Sequence, residues 1–286
     1  MYPPEFKYLR ATSVKEALEM LNSDPDITIL AGGQSLMPLL KLRLIAPAKL
    51  LDLNFIPELR YIKEDGDVIR IGAMTTHNNI YFNELIRTKI PALSTTAHNI
   101  GDIQIRNRGT IGGSIMEADP HADYLPTLMA LEAKVKLKSI NNERIIDIKD
   151  FIEGSFQTSI KSGELLTEVI VPKNNYKFLI EKYARRKGDF ALVLLVIMAD
   201  ISEGYVKDLR VAAGAQDPKP LRLREIEKSV KGRKVDDIDS NKLASELKDQ
   251  LSPLQDLHGS SEYKKYVAAS IFRRMVDKLF KKEVYG

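Results

Sequence analysis

The 286-residue chain contains no cysteine. Disulfides, thiolate catalysis and cysteine-ligated iron–sulfur clusters are therefore excluded within it. No apolar run approaches the roughly 18 residues needed to cross a bilayer. The start, Met1-Tyr2-Pro3-Pro4-Glu5, lacks the basic opening and apolar segment of a secretory signal. No membrane span and a cytoplasmic location are expected. There is no Lys-Ser or Lys-Thr after glycine at P-loop spacing, and no G-x-G-x-x-G fingerprint, which disfavours a Rossmann fold. H-E-x-x-H and nucleophile motifs are missing as well. The net charge is only +4. Its basic clusters, Arg185-Arg186-Lys187, Arg273-Arg274 and Lys281-Lys282, are short and lack interleaved aromatics. They read as solvated faces or a subunit contact, not as a nucleic-acid footprint.

What is present is an ordinary globular composition, 44% hydrophobic and 29% charged, long enough for two domains or for one domain with subdomains. The chain is organised around Thr28-Ile29-Leu30-Ala31-Gly32-Gly33-Gln34-Ser35-Leu36. An echo follows at Arg108-Gly109-Thr110-Ile111-Gly112-Gly113-Ser114. In each, an apolar or β-branched run meets a Gly-Gly pair, and a small hydroxyl residue comes next. Glycine lets backbone turn through positive φ and approach a ligand closely. Amides left unpaired at such a turn suit a phosphate. Two turns of this kind can grip the two ends of a pyrophosphate.

The coarse pattern is α+β. Ser13 and Glu16 have capping-box spacing ahead of a helix with Ala17, Leu18 and Leu21 on one side. Ile27 to Leu30 is a short strand entering the first Gly-Gly turn, and Leu36 to Leu44 reads as a helix leaving it. Asp65-Gly66 and Asn141-Asn142 mark hairpins. Thr76 caps a helix to about Arg87, Pro91 starts another, and Gly101 to Arg108 reads as irregular. Leu165 to Val171 is a strand. Pro172-Lys173-Asn174-Asn175 separates residues 1–174 from a second domain at 175–286. There Phe178 to Arg185, Leu192 to Ile201 and Val206 to Ala213 read as three antiparallel strands. The apolar run Ala191 to Ala199 also suits a buried helix, but its length and Val/Ile content favour a strand. Helices follow, ending with an amphipathic one over Tyr263 to Lys282.

Ser35, Thr110 and Ser114 are candidate phosphate donors, with capping as their structural alternative. Asp119-Pro120-His121-Ala122-Asp123 is the densest polar cluster. Two carboxylates and one histidine in a single loop fall short of a metal set. Asp123 is placed to cap the next helix, or to accept from a ring N–H if a cofactor lies against the second turn. His77, His98 and His258 are scattered and read as structural. A nucleotide grip with no acid–base set points to the carrier of a cofactor that brings its own chemistry.

Several blocks also carry a resemblance. Ala31-Gly32-Gly33-Gln34-Ser35-Leu36-Met37-Pro38 resembles the A-G-G-x-S-L-x-P motif of medium, FAD-binding subunits in the xanthine dehydrogenase, carbon monoxide dehydrogenase and aldehyde oxidoreductase family of molybdenum hydroxylases. Thr110-Ile111-Gly112-Gly113-Ser114 is similar to its T-I-G-G-[NS] motif. The Ala118 to Asp123 loop, Gly163-Glu164-Leu165-Leu166 and Lys182-Tyr183-Ala184-Arg185-Arg186 follow in the family's order. The resemblance implies a vanillyl-alcohol-oxidase (PCMH)-type FAD-binding domain of two α+β subdomains, then a small domain of antiparallel sheet and helices. It implies that Ala31 and Gly32 to Leu36, with Thr110 to Ser114, hold the FAD pyrophosphate and adjoining ribityl. Asp123 would meet the flavin or its ribityl chain, Leu166 would pack on the isoalloxazine, and Lys182 would lie near its polar edge. Gln34 stands where many relatives have His, which leaves the grip intact but bears on flavin tuning.

Family members of this size are single subunits. The resemblance therefore implies a large subunit with a molybdopterin cofactor and a small subunit with two [2Fe–2S] clusters. The complex would be a heterotrimer or a dimer of heterotrimers, and the lack of cysteine agrees with clusters held elsewhere. The alternatives are a free-standing flavin oxidoreductase of the same fold and a non-redox nucleotide-binding module.

Overall fold

The computed structural model describes residues 2–257 and 259–280, so Lys281-Lys282 and His258 lie outside the described residues. The chain begins with three short parallel strands, β1 (Lys7–Arg10), β2 (Ile27–Leu30) and β3 (Lys49–Asp52), in the order β1-β3-β2. Helix α1 (Val14–Ser23) links the first two and α2 (Leu36–Lys41) leads toward the third. Ser13 caps α1 through Glu16 N–H, as its spacing predicts, but the Glu16 carboxylate reaches back to Thr12 N–H and hydroxyl instead of closing the box on Ser13. Ala17, Leu18 and Leu21 pack with Leu51, Leu53, Ile56 and Leu59 in a small core of their own.

The second sheet contains β4 (Ile62–Asp65), β5 (Val68–Gly72), β6 (Lys134–Lys138), β7 (Glu143–Asp147) and, beyond the short hairpin β8 (Ile152–Gly154) and β9 (Gln157–Thr158), β10 (Leu165–Pro172). Its order is β4-β5-β10-β6-β7, antiparallel throughout, and both hairpins turn where Asp65-Gly66 and Asn141-Asn142 predict. Between β5 and β6 lie six short helices, α3 (His77–Phe82), α4 (Glu84–Lys89), α5 (Pro91–Asn99), α6 (Ile103–Arg108), α7 (Ile111–Glu117) and α8 (Tyr124–Ala130). The largest core joins them to this sheet. The single helix expected from Thr76 to Arg87 is two, because Asn83 ends α3 and its side chain accepts from Ile86 N–H to start α4. The stretch expected to be irregular, 101–108, contains α6, capped by Asp102.

After the one-turn helix α9 (Ile148–Phe151) ahead of β8, the remaining helices belong to the C-terminal part. There β11 (Lys177–Tyr183), β12 (Val193–Ser202), β13 (Tyr205–Gly214) and β14 (Leu221–Arg222) form an antiparallel sheet in that order. It has four strands, not the expected three. The two-residue β14 escapes a reading by periodicity. Helices α10 (Arg224–Val230), α11 (Ser240–Gln250) and α12 (Ser261–Phe280) cover one face. The apolar run at 191–199 is a strand, and its burial explains its composition. Val193, Leu195, Ile197 and Ala199 face those helices, while Val196 and Met198 join the core of the preceding domain. A strand covered on both faces has no polar side to alternate with. Among the described residues no helix is long and apolar enough to cross a membrane.

Candidate cofactor site

The first three-stranded sheet, the helices around α7 and the C-terminal sheet meet at a cavity of about 580 Å³. That lies within the usual range of small-molecule sites. The two Gly-Gly segments form adjoining parts of its wall. A Cβ placed on Gly32 would run into the Arg108 carbonyl and lie 2.7 Å from Gly109 Cα, and one on Gly113 would lie 3.5 Å from the Ala31 Cβ. The two segments therefore touch through backbone, and at Gly32 only glycine permits the spacing.

Their local structures differ. Strand β2 delivers the chain to a turn in which Gly33 has φ +73°, a region L side chains rarely occupy. The Gln34 side chain donates to Gly32 O at 3.1 Å and closes that turn. The N–H groups of Gly32, Gly33, Gln34 and Ser35 have no acceptor among the described residues. Ser35 precedes α2 without capping it through its side chain.

The second pair is not a turn. Gly112 and Gly113 lie in the first turn of α7, with Thr110 as the cap. Ile111 N–H donates to Thr75 O, Gly112 N–H to Ala73 O, Gly113 N–H to the Thr110 hydroxyl and Ser114 N–H to Thr110 O. The expectation of unpaired amides holds for the first segment and fails for the second. Gly112 is needed for packing, since a Cβ there would lie 2.7 Å from Ala73.

Ala31, Gly32, Gly33, Gln34, Ser35 and Leu36 line the cavity, as do Thr110, Gly112, Gly113 and Ser114. Ile111 does not reach it: its side chain is fully buried in the main core. Asp123, Leu166 and Lys182 line it as well. Leu166 comes from the central strand β10 and Lys182 from β11, so the two domains both contribute.

Lys182 Nζ lies 2.9 Å from both Asp123 carboxylate oxygens and also donates to Asn99 O at 3.2 Å. Only Oδ2 receives this hydrogen bond in good geometry, and Oδ1 has no hydrogen-bond donor among the described residues. Asp123 is 7% exposed. Burial pushes its carboxyl up to about 6, against the lowering pull of Lys182. It stands at the cap position of α8 but makes no capping bond, so capping does not account for it.

The rest of that loop is tied into the protein. Asp119 accepts from His121 N–H, the His121 ring meets Ala191 O at 2.8 Å, and Ala215 N–H donates to Pro120 O. Two further wall residues are His77, read from the sequence as structural, and Glu117, which escaped that reading. His77 is 4% exposed, with its N–H on Gly109 O and its ring 5.2 Å from that of Tyr124. Burial, then Arg106, lowers it to about 3, so it is neutral. Glu117, at the end of α7, is half-buried on the wall. Neither belongs to a spacing motif that would single it out.

Comparisons with known proteins agree with this layout. Residues 4–174 match the family described as the FAD binding domain in molybdopterin dehydrogenase, and residues 179–279 match the CO dehydrogenase flavoprotein C-terminal domain. The glyceraldehyde dehydrogenase medium chain of Sulfolobus acidocaldarius is 40% identical over 268 residues, covering 93% of this chain and 95% of the relative. The carbon monoxide dehydrogenase medium chain of Hydrogenophaga pseudoflava is 33% identical, covering 97% and 98%. Among solved structures, quinoline 2-oxidoreductase from Pseudomonas putida 86 superposes with a TM-score of 0.94 at 31% identity, over 100% of both chains. The fold, the shared cavity and these matches together establish that the chain belongs to the FAD-binding medium subunits of the molybdenum hydroxylases.

Proposed function

We propose that the cavity holds FAD and that the chain is the electron-transfer subunit of a heteromeric molybdenum hydroxylase. The observation that carries the reading is the run of unpaired amides at Gly32 to Ser35, facing a cavity that the Asp123–Lys182 pair also lines. Backbone N–H groups with no protein acceptor fit phosphate oxygens. The buried Asp123 carboxylate on the same wall, with one oxygen that makes no hydrogen bond among the described residues, suits a ligand donor. In this reading Ala31 and Gly32 to Leu36 bind the pyrophosphate through N–H groups. Gly112, Gly113 and Ser114 offer a surface without side-chain obstruction and one hydroxyl. Thr110 shapes that surface as a helix cap, and Ile111 anchors it from the core. Leu166 excludes water from the ring face, and Lys182 fixes Asp123 and presents positive charge beside it. Gln34 acts on the turn by bonding Gly32 O.

Bound FAD supplies one- and two-electron exchange, which couples [2Fe–2S] clusters in a partner to an external acceptor. The small subunit carries the two clusters and the large subunit the molybdopterin, where substrate is oxidised. The assembly is a heterotrimer or a dimer of heterotrimers in the cytoplasm, and the domain boundary falls at 174/175. Similarity to glyceraldehyde and carbon monoxide dehydrogenase chains supports an aldehyde- or carbon monoxide-oxidising complex, with the substrate selected on the molybdenum subunit.

Reconstitution of the chain with FAD tests the reading. Flavin absorbance near about 450 nm should stay with the protein through gel filtration. A colourless protein would overturn it. Substrate-dependent flavin reduction by the isolated chain would instead favour a free-standing oxidoreductase.

A further inference from the structure

Helix α7 has two unlike faces. Ile111, Ile115 and, just beyond its end, Ala118 are buried in the main core. Gly113, Ser114 and Glu117 stand on the cavity wall. Residues three and four apart on a helix are neighbours, about 5–6 Å between side-chain positions. Glu117 is thus one helical turn from the Gly113–Ser114 surface, on the way toward the loop that carries Asp123.

The acidic side chains on this wall are otherwise occupied or exposed. Asp24 is paired with Lys49, Asp119 accepts from His121 N–H, Asp123 is held by Lys182, and Glu164 takes two bonds from Arg144. Asp189 is exposed. Glu117 is half-buried and has neither an ion pair nor a hydrogen bond among the described residues. Burial, with Asp119 nearby, raises its carboxyl above the usual glutamate range. A carboxylate partly withdrawn from water and without protein donors gains from a ligand that supplies them. Asp123, whose Oδ1 is ion-paired with Lys182 but makes no hydrogen bond among the described residues, stands on the same wall.

A carboxylate only accepts hydrogen bonds. It would repel a phosphate and gains nothing from the apolar face of a ring. It suits a chain of hydroxyl groups. We propose that Glu117 accepts hydrogen bonds from the hydroxyls of the ribityl chain, in the stretch of cavity between the Gly112–Gly113 surface and the Asp123–Lys182 pair. This rests on the reading of the cavity as an FAD site and assigns that stretch a specificity residue. An acceptor here selects for a polyhydroxylated linker.

The test titrates the full chain, Glu117→Ala and Glu117→Gln with FAD and with an FAD analogue lacking the ribityl hydroxyls, reading flavin fluorescence. For FAD, Glu117→Ala should weaken binding roughly 10- to 100-fold, the size of a hydrogen bond to a charged group. Glu117→Gln, which keeps one acceptor oxygen, should lose less. The analogue should bind wild type and both variants equally. Unchanged FAD binding in Glu117→Ala, or the same loss for FAD and analogue, overturns the assignment. Thermal unfolding without FAD separates a folding defect from a binding defect, and the near-isosteric Gln variant keeps the test open if the Ala variant does not fold. Wild type that takes up no FAD at all would bring down the cavity reading itself, a different outcome from FAD uptake indifferent to Glu117.

Discussion

The two Gly-Gly segments look alike in sequence and differ in almost every physical respect. The first is a strand-to-helix turn with one left-handed residue and N–H groups that find no acceptor among the described residues. The second is the opening of a helix whose amides are all used internally, by Thr75 O, Ala73 O and the two oxygens of Thr110. Glycine serves conformation and exposed donors in one segment, and close packing in the other. Removing a side chain is thus two requests in one symbol. One frees the backbone and the other admits a neighbour. The pairing of the segments is real, but it is a contact between unlike parts.

The largest way to break that contact is Gly32→Ala. Its Cβ would meet the Arg108 carbonyl and Gly109 Cα, which are backbone atoms with no rotamer to yield. The loss should be at least about 3 kcal/mol, near the upper end for overpacking. Chemical denaturation should show it, and FAD should no longer copurify. A variant as stable as wild type would mean that the segments do not bear on each other.

The second segment leads into Asp123, whose pH response sharpens the contrast with the charge-free first segment. Without FAD, the Asp123 carboxyl is raised to about 6 by burial, against about 3.9 in an unfolded chain. Between these values the folded protein holds a proton that the unfolded chain has released. Stability from this group is therefore greatest below pH about 4, falls as pH rises to about 6, and is level above that. Its size is up to roughly 2–3 kcal/mol. Thermal melts of the FAD-free chain should show that decline, and Asp123→Asn should flatten it. An equal slope in the variant would assign the effect elsewhere.

Much of this was legible in the sequence because the signals were local. The Asp65-Gly66 and Asn141-Asn142 hairpins, the Ser13 cap and the strand at 165–171 each rest on neighbouring residues whose chemistry suffices. Helix α6 was hidden because none of its residues is buried, so it carries no apolar stripe. The second Gly-Gly pair was read as a turn because glycine disfavours helices by about 1 kcal/mol. The close approach of Gly112 to Ala73, distant in sequence, outweighs that preference. Glu117 was missed for a similar reason. Its significance lies in what surrounds it, and no spacing rule encodes a surrounding. The resemblance named residues that line the wall, Ile111 excepted, but not the division of labour between them.

The smallest test concerns the Thr110 cap, which gives the second segment its own acceptor. The hydroxyl accepts from Gly113 N–H at 3.2 Å, and the residue is 2% exposed. Thr110→Ala removes that acceptor and should cost about 1 kcal/mol, as loss of a helix cap does. Thr110→Ser keeps the oxygen and deletes only a methyl. It also leaves a small void, so stability alone does not separate cap from packing. Amide exchange does. In Thr110→Ala the Gly113 amide should exchange faster than its neighbours in α7, whereas in Thr110→Ser it should remain protected with them. Thr110→Ala would then leave the second segment with an unpaired amide, as the first already has. If Gly113 stays protected in both variants, its N–H has another acceptor, and the difference between the two segments is smaller than their hydrogen bonds indicate.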